Sequence, residues 1–227
     1  MYENIVLMHW IYVFVMFLGI LYFTYLLINK RDIPNHEYLI AIIIPIWSAL
    51  AYMSIALGQG TIEINGRILY FARYLDWIVT TPLLLTSLSL SAMFKSKVNK
   101  SIIASLIFAD VIMIITGGIA DISINKTVSY IWYWIGMVAL VYIIYIIWNP
   151  LKKLAFSNSK NVGVTYTRLA TYLTVFWILY PTFWILSKSG IGVLGAWGEA
   201  MAFIIIPIFS KVGFSIFDLY NLGKITN

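Results

Sequence analysis

The stretch from Ala200 to Leu222 reads AMAFIIIPIFSKVGFSIFDLYNL. It is long enough to cross a bilayer, which takes about 20 residues, and between Phe203 and Phe217 its only charge is Lys211. A lysine near mid-membrane costs roughly 2.5 to 3.5 kcal/mol on insertion scales, so its presence points to a function. Apolar residues on both sides leave it too central to snorkel to the interface. Two uses remain on the residues alone. One is a structural ion pair with a carboxylate on another helix; the other is a desolvated amine that forms a Schiff base with a carbonyl ligand.

The remainder of the chain agrees with a membrane setting. Of 227 residues 62% are hydrophobic, 17% aromatic and only 11% charged, with mean hydropathy +0.90, whereas a soluble domain carries about 25% charged residues. There is no cysteine, which excludes disulfides and thiolate chemistry, and His9 and His36 lack metal-ligand spacing. Seven apolar runs follow one another: Ile5 to Ile28, Tyr38 to Leu57, Ile68 to Phe94, Ile102 to Ala120, Val128 to Trp148, Tyr166 to Ser187 and Ala200 to Leu222. The first is read as a retained helix, since no small-residue cleavage site follows it. The expectation is an all-α membrane protein, one seven-helix transmembrane domain over residues 1–227, with no soluble domain; the longest hydrophilic segment is Asn149 to Thr165. Lys30, Arg31, Lys95, Lys97, Lys100, Lys152, Lys153, Lys160, Arg168 and Lys224 fall on one side, and only Arg67, Lys126 and Lys188 on the other. The rich side is cytoplasmic, so the N-terminus lies outside and odd-numbered helices run inward. The net charge of +6 then reflects topology and lipid headgroups in a cell membrane. No clustered basic and aromatic surface suggests nucleic acid.

The third run, RILYFARYLDWIVTTPLLLTSLSLSAMF, sets Arg73, Asp76 and Thr80 on one helical face. A buried acid needs a partner, and Lys211 is available at the same depth. Arg73, on the outer side, is expected to help keep Asp76 ionised, and Pro82 marks a kink. Asp110 in the fourth run is read as a protonated, structural acid. In the sixth run Trp177, Tyr180 and Trp184 share a stripe, a packing core or one wall of an aromatic box.

Arg73-Tyr74-Leu75-Asp76-Trp77, Thr80-Thr81-Pro82-Leu83-Leu84-Leu85 and Ser210-Lys211-Val212-Gly213-Phe214 together resemble the microbial rhodopsins, the light-driven retinal proteins of the bacteriorhodopsin kind. The resemblance covers all seven helices. It implies all-trans retinal bound covalently to Lys211 as a protonated Schiff base, with Asp76 as primary counterion and Tyr52 nearby. It also implies a pocket that includes Trp77, Thr80, Thr81, Met113, Gly117, Trp132, Tyr133, Gly136, Trp177, Tyr180, Trp184 and Pro207. A homotrimer is suggested by the same resemblance.

Three departures from the outward pumps of that family bear on function. Their second carboxylate, one turn before the lysine, is Pro207 here; their cytoplasmic proton donor, eleven residues after the counterion, is Ser87, and a hydroxyl does not store protons near neutral pH. Asp218, seven residues after Lys211, lies about 10 Å further toward the cytoplasm if the helix is regular. Pro207 with an acid at Asp218 resembles the xenorhodopsin clade, which includes inward proton pumps and sensory rhodopsins. The expectation is an inward pump in which Asp218 receives the proton and Asp76 and Arg73 govern its resupply. The alternative is a photosensor acting on a transducer. Asp218 could also be an interfacial acid paired with a lysine such as Lys224. Glu199 and Glu63 are candidates for the outer uptake route, and His36 and Glu37 are either members of the inner exit or, the preferred reading, a solvated loop pair.

Overall fold

Each apolar run contributes a membrane-length helix, and three helix starts among the described residues carry a capping side chain. The computed structural model describes residues 2–64 and 67–226. Helix α1 spans Tyr2–Ile28 and α2 Asn35–Ala56, followed by a hairpin of β1 (Ile62–Ile64) and β2 (Arg67–Leu69). Next come α3 (Phe71–Ala92), α4 (Lys100–Ile122) and α5 (Lys126–Ile146), which passes through a π turn at Ile147–Leu151 into α6 (Lys152–Asn158). The chain continues with α7 (Lys160–Leu186) and α8 (Ala196–Pro207), then a second π turn at Ile208–Gly213 that leads into α9 (Phe214–Thr226). Side-chain caps satisfy the free N–H groups at three starts. Asn99 accepts from the Ile102 N–H, Asn125 from those of Thr127 and Val128, and Ser159 from that of Val162.

With α5–α6 and α8–α9 each counted as one span, seven helices among the described residues are long and apolar enough to cross a membrane. They close a ring. Each packs against its neighbour in sequence, and α8 with its π turn returns to α1. The third and seventh spans, which carry Asp76 and Lys211, are the most enclosed. Large apolar side chains such as Phe14, Phe108, Trp134 and Val138 cover the outside, as lipid contact requires.

Two expectations need correction. The run from Ile68 to Phe94 is not one helix, because Ile68 pairs with Glu63 in the hairpin and the helix starts at Phe71. Nor is Asn149 to Thr165 a loop. Pro150 is accommodated by the π turn, and Ser159 alone separates α6 from α7. At the outer end Lys126 Nζ donates to the carbonyls of Lys188, Ser189 and Gly190, and Arg67 donates to Ser189 Oγ at 3.0 Å and to the Asp121 carbonyl. These contacts fasten the hairpin and the outer loops into one cap.

Candidate functional site

A column of charged and hydroxyl groups lies within the bundle, and Lys211 is its centre. It is the one buried lysine of eleven; the others are partly or fully exposed. It lies inside the π turn that follows Pro207. Proline removes one backbone donor and crowds the preceding turn, and π turns of this type recur at functional positions. Lys211 Nζ donates to Asp76 Oδ2 and, at 2.9 Å, to Ser48 Oγ. Thr80 supports the same carboxyl, its hydroxyl lying 2.8 Å from the Asp76 carbonyl and 3.3 Å from Oδ1. Both partners of the pair are at most 1% exposed.

Arg73 departs from expectation. It is buried, but its ion-pair partner is Glu199 Oε1 at 3.5 Å, and its guanidinium lies over the rings of Tyr70 and Phe203. The long side chain reaches outward from its turn, and Lys211 already occupies the facing oxygen of Asp76. Glu63 sits exposed on β1. Tyr52 is fully buried and donates to the carbonyl of Phe203.

Beside the lysine lies an apolar cavity lined by Tyr74, Trp77, Thr81, Met113, Ile114, Gly117, Tyr133, Gly136, Met137, Leu140, Trp177, Tyr180, Pro181, Trp184 and Phe203. Tyr180 connects it to the attachment region, since its hydroxyl is 2.9 Å from Ser210 Oγ. Trp77 meets Tyr180 edge-on at 5.3 Å, and Tyr133 stacks on Trp184 at 4.9 Å. A Cβ on Gly136 would come within 3.0 Å of Thr116 Oγ1, and one on Gly117 would meet Tyr74 at 3.7 Å. An elongated apolar ligand joined to the amine suits this lining. Of the residues assigned to the pocket, Thr80 faces Asp76 instead, Trp132 is partly buried against the cluster that contains Trp77, Ile114 and Trp184, and Pro207 is buried beside the π turn. Tyr74, Ile114, Met137, Leu140, Pro181 and Phe203 were not anticipated, nor was Ser48.

Thr81 has one hydroxyl hydrogen and two acceptors at 2.7 Å, the Trp77 carbonyl and Asp110 Oδ2. A protonated Asp110 resolves the conflict by donating to Thr81, in keeping with its complete burial. Thr81→Val should then cost about 1–3 kcal/mol through the stranded carboxyl, measured as a lower midpoint of thermal bleaching. The double variant Thr81→Val/Asp110→Leu should recover most of that loss.

On the inner side Asp218 is 2% exposed and accepts from Ser87 at 2.7 Å and Ser91 at 2.6 Å. The interfacial pairing with Lys224 does not occur, because that exposed lysine lies over Tyr220 at 4.2 Å. Glu37 is not solvated either. It is 2% exposed, with Oε2 at 3.5 Å from Ser87 Oγ and Oε1 at 3.7 Å from the half-exposed His36 ring. Two carboxyls therefore flank one serine hydroxyl.

Removing one partner of a buried ion pair costs about 3–5 kcal/mol. Asp76→Asn should therefore shift the visible band to longer wavelength, or let the Lys211 nitrogen lose its proton at lower pH. A spectrophotometric pH titration decides, and an unchanged spectrum and titration would assign the counterion elsewhere.

The family model described as bacteriorhodopsin-like protein matches residues 3–225. Bacteriorhodopsin of Haloterrigena sp. (strain arg-4) is 37% identical over 218 residues, covering 93% of this chain and 86% of the relative. Archaerhodopsin-2 of Halobacterium sp. (strain aus-2) is 35% identical over 205 residues, covering 88% and 78%. Among solved structures, the thermophilic rhodopsin from Rubrobacter xylanophilus superposes with a TM-score of 0.90 at 33% identity, covering 97% of this chain and 99% of that one. The rhodopsin of Coccomyxa subellipsoidea, described as a light-driven proton pump, gives 0.88 at 26% identity, covering 96% of each. With a buried lysine, its carboxylate and an apolar cavity among seven spans, the chain belongs to the bacteriorhodopsin-like family of microbial rhodopsins, non-enzymatic multi-pass membrane proteins that bind all-trans retinal through a Schiff base to lysine.

Proposed function

We propose that this protein is a light-driven inward proton pump of the xenorhodopsin kind, with retinal attached at Lys211. The observation that carries the reading is the buried acid Asp218, held by two serine hydroxyls on the inner side of the lysine. Bound retinal supplies the light absorption and the movement that turns the Lys211 nitrogen within the bundle. Asp76 holds the proton on Lys211 Nζ at rest by ion pairing. Asp218 then accepts that proton, and Ser87 joins it to Glu37, whose other oxygen faces His36 at the inner surface. Two dry carboxyls on either side of one hydroxyl can share a proton and one charge, which makes the pair a suitable receiver. The outward pumps of the family carry a carboxylic donor on the third span where this chain has Ser87, and here the carboxyls at that level come instead from α9 and α2, as Asp218 and Glu37.

Direction is tested by illuminating an unbuffered suspension of expressing cells. Alkalinisation of the medium, abolished by a protonophore, is expected. Acidification would overturn the inward assignment, and no pH change from a well-expressed coloured protein would favour the photosensor acting on a transducer.

A further inference from the structure

The first span carries a buried base with no part so far in proton movement. His9, on the outer half of α1, is 1% exposed. Its Nδ1 lies 2.7 Å from the Ile5 carbonyl oxygen. A carbonyl only accepts, so Nδ1 carries the hydrogen and Nε2 keeps a lone pair. Nε2 has no hydrogen-bond partner. The ring sits beside Tyr52 and Tyr70, at centroid distances of 5.9 and 5.8 Å. Tyr52 cannot serve Nε2, because its hydroxyl is committed to the Phe203 carbonyl. A dry, unsatisfied ring nitrogen is destabilising, and an aromatic hydrocarbon would pack better there.

The same face of α1 continues to the lysine. Tyr12, one turn inward, stacks on Tyr52 at 3.8 Å, and its hydroxyl is 2.5 Å from Ser48 Oγ. Ser48 Oγ in turn accepts from Lys211 Nζ at 2.9 Å. A base at the outer end thus precedes a pair of hydroxyls that ends on the nitrogen whose proton must be replaced.

We propose that His9 takes up a proton from the outer medium and returns it to Lys211 Nζ through the hydroxyls of Tyr12 and Ser48. The proton binds Nε2 and makes the ring an imidazolium. Nε2 then passes it, across one bridging water or hydroxyl, to the Tyr12 oxygen while the Tyr12 proton moves to Ser48 and the Ser48 proton to Lys211 Nζ. Both hydroxyls end neutral, and the net change is one proton delivered from outside. The charged groups facing His9 from other spans are Arg73 of α3, whose guanidinium lies over Tyr70 at 4.0 Å, and its partner Glu199 of α8. Arg73 favours prompt release from the imidazolium, and Glu199 tempers that repulsion. The proposal rests on the inward reading, in which the outer side supplies the lysine.

Two measurements test it. The first needs no light: His36→Gln leaves His9 as the only histidine, and its ring nitrogens can be read by ¹⁵N NMR. The Nδ1–H tautomer with a bare Nε2 is expected, and an Nε2–H tautomer would overturn the proposal. The second follows flash-induced absorbance changes in retinal-loaded vesicles. His9→Asn, which keeps a donor for Ile5 but removes the ring base, should slow return of the proton to Lys211 by on the order of 100-fold. Loss of the proton toward the inner side should keep its rate. Tyr12→Phe should slow the return likewise, and it carries the test if His9→Asn forms no pigment. An unchanged return rate in either coloured variant would overturn the proposal. Acidification of the medium by the unsubstituted protein would instead overturn the inward reading, whatever His9 does.

Discussion

Lys211→Ala should abolish the visible absorption band, because every other lysine of the chain is partly or fully exposed, and only Lys211 is buried against a carboxylate within the bundle. The effect is all or none. Adding all-trans retinal to membranes that contain the variant and recording the spectrum is sufficient. A coloured, hydroxylamine-sensitive variant would show that attachment lies elsewhere. Loss of colour through misfolding is separated by adding an n-alkylamine Schiff base of retinal: an intact cavity should take it up and regain a visible band.

Asp218→Asn should remove or strongly slow the light-driven alkalinisation while colour stays. Colour depends on groups at the lysine nitrogen, and the carboxyl of Asp218 is instead bound to Ser87 and Ser91. An amide keeps the size of the side chain but cannot receive the proton, and proton transfer to a positioned group contributes typically about 10²–10⁴-fold. The initial rate of pH change per coloured molecule is the measurement. A variant that pumps inward at full rate would transfer the role to Glu37, the other buried carboxyl beside Ser87.

What could be read in the sequence was largely what is costly in a membrane. Lys211 and Asp76 stood out as charges in apolar runs, and their pairing follows from the cost of leaving either alone. Asp218 stood out for the same reason. Ser48 and Tyr12 did not, because hydroxyls in a spanning helix are inexpensive and their contact with Lys211 depends on how α1 and α2 meet. Phe203, Leu140 and Met137 were hidden as well, since cavity-lining and lipid-facing residues use the same apolar types. Glu37 was left between the inner exit and a solvated loop pair, with the second preferred, although a signal for the first existed. Glu37, Ala41, Ile44, Ser48, Tyr52 and Ile55 recur at helical spacing and are all buried, so that Glu37 extends the inward face of α2. The hairpin was also signalled, by Asn65-Gly66 between two apolar runs, a common two-residue turn; those two residues lie outside the described ones. The reach of Arg73 toward Glu199 could not be read, because i, i+3 spacing fixes a face and not the course of a long side chain.

The π turn at Ile208–Gly213 makes the seventh span a vernier. Each residue of an α-helix advances the phase by ~100°, and a π turn inserts one extra residue without breaking the rod. Deleting a single residue from this turn would restore regular winding and swing everything beyond it through about one such step. Phe214 and Asp218, both buried now, would turn away from the axis of the bundle while Asp76 and the aromatic cavity stayed in place. Lys211 itself lies within the dislocation, with Asp76 and the aromatic cavity on the elements before it and Asp218 beyond it, so only a deletion between Lys211 and Asp218 would re-aim the inner acid while the amine kept its carboxylate partner.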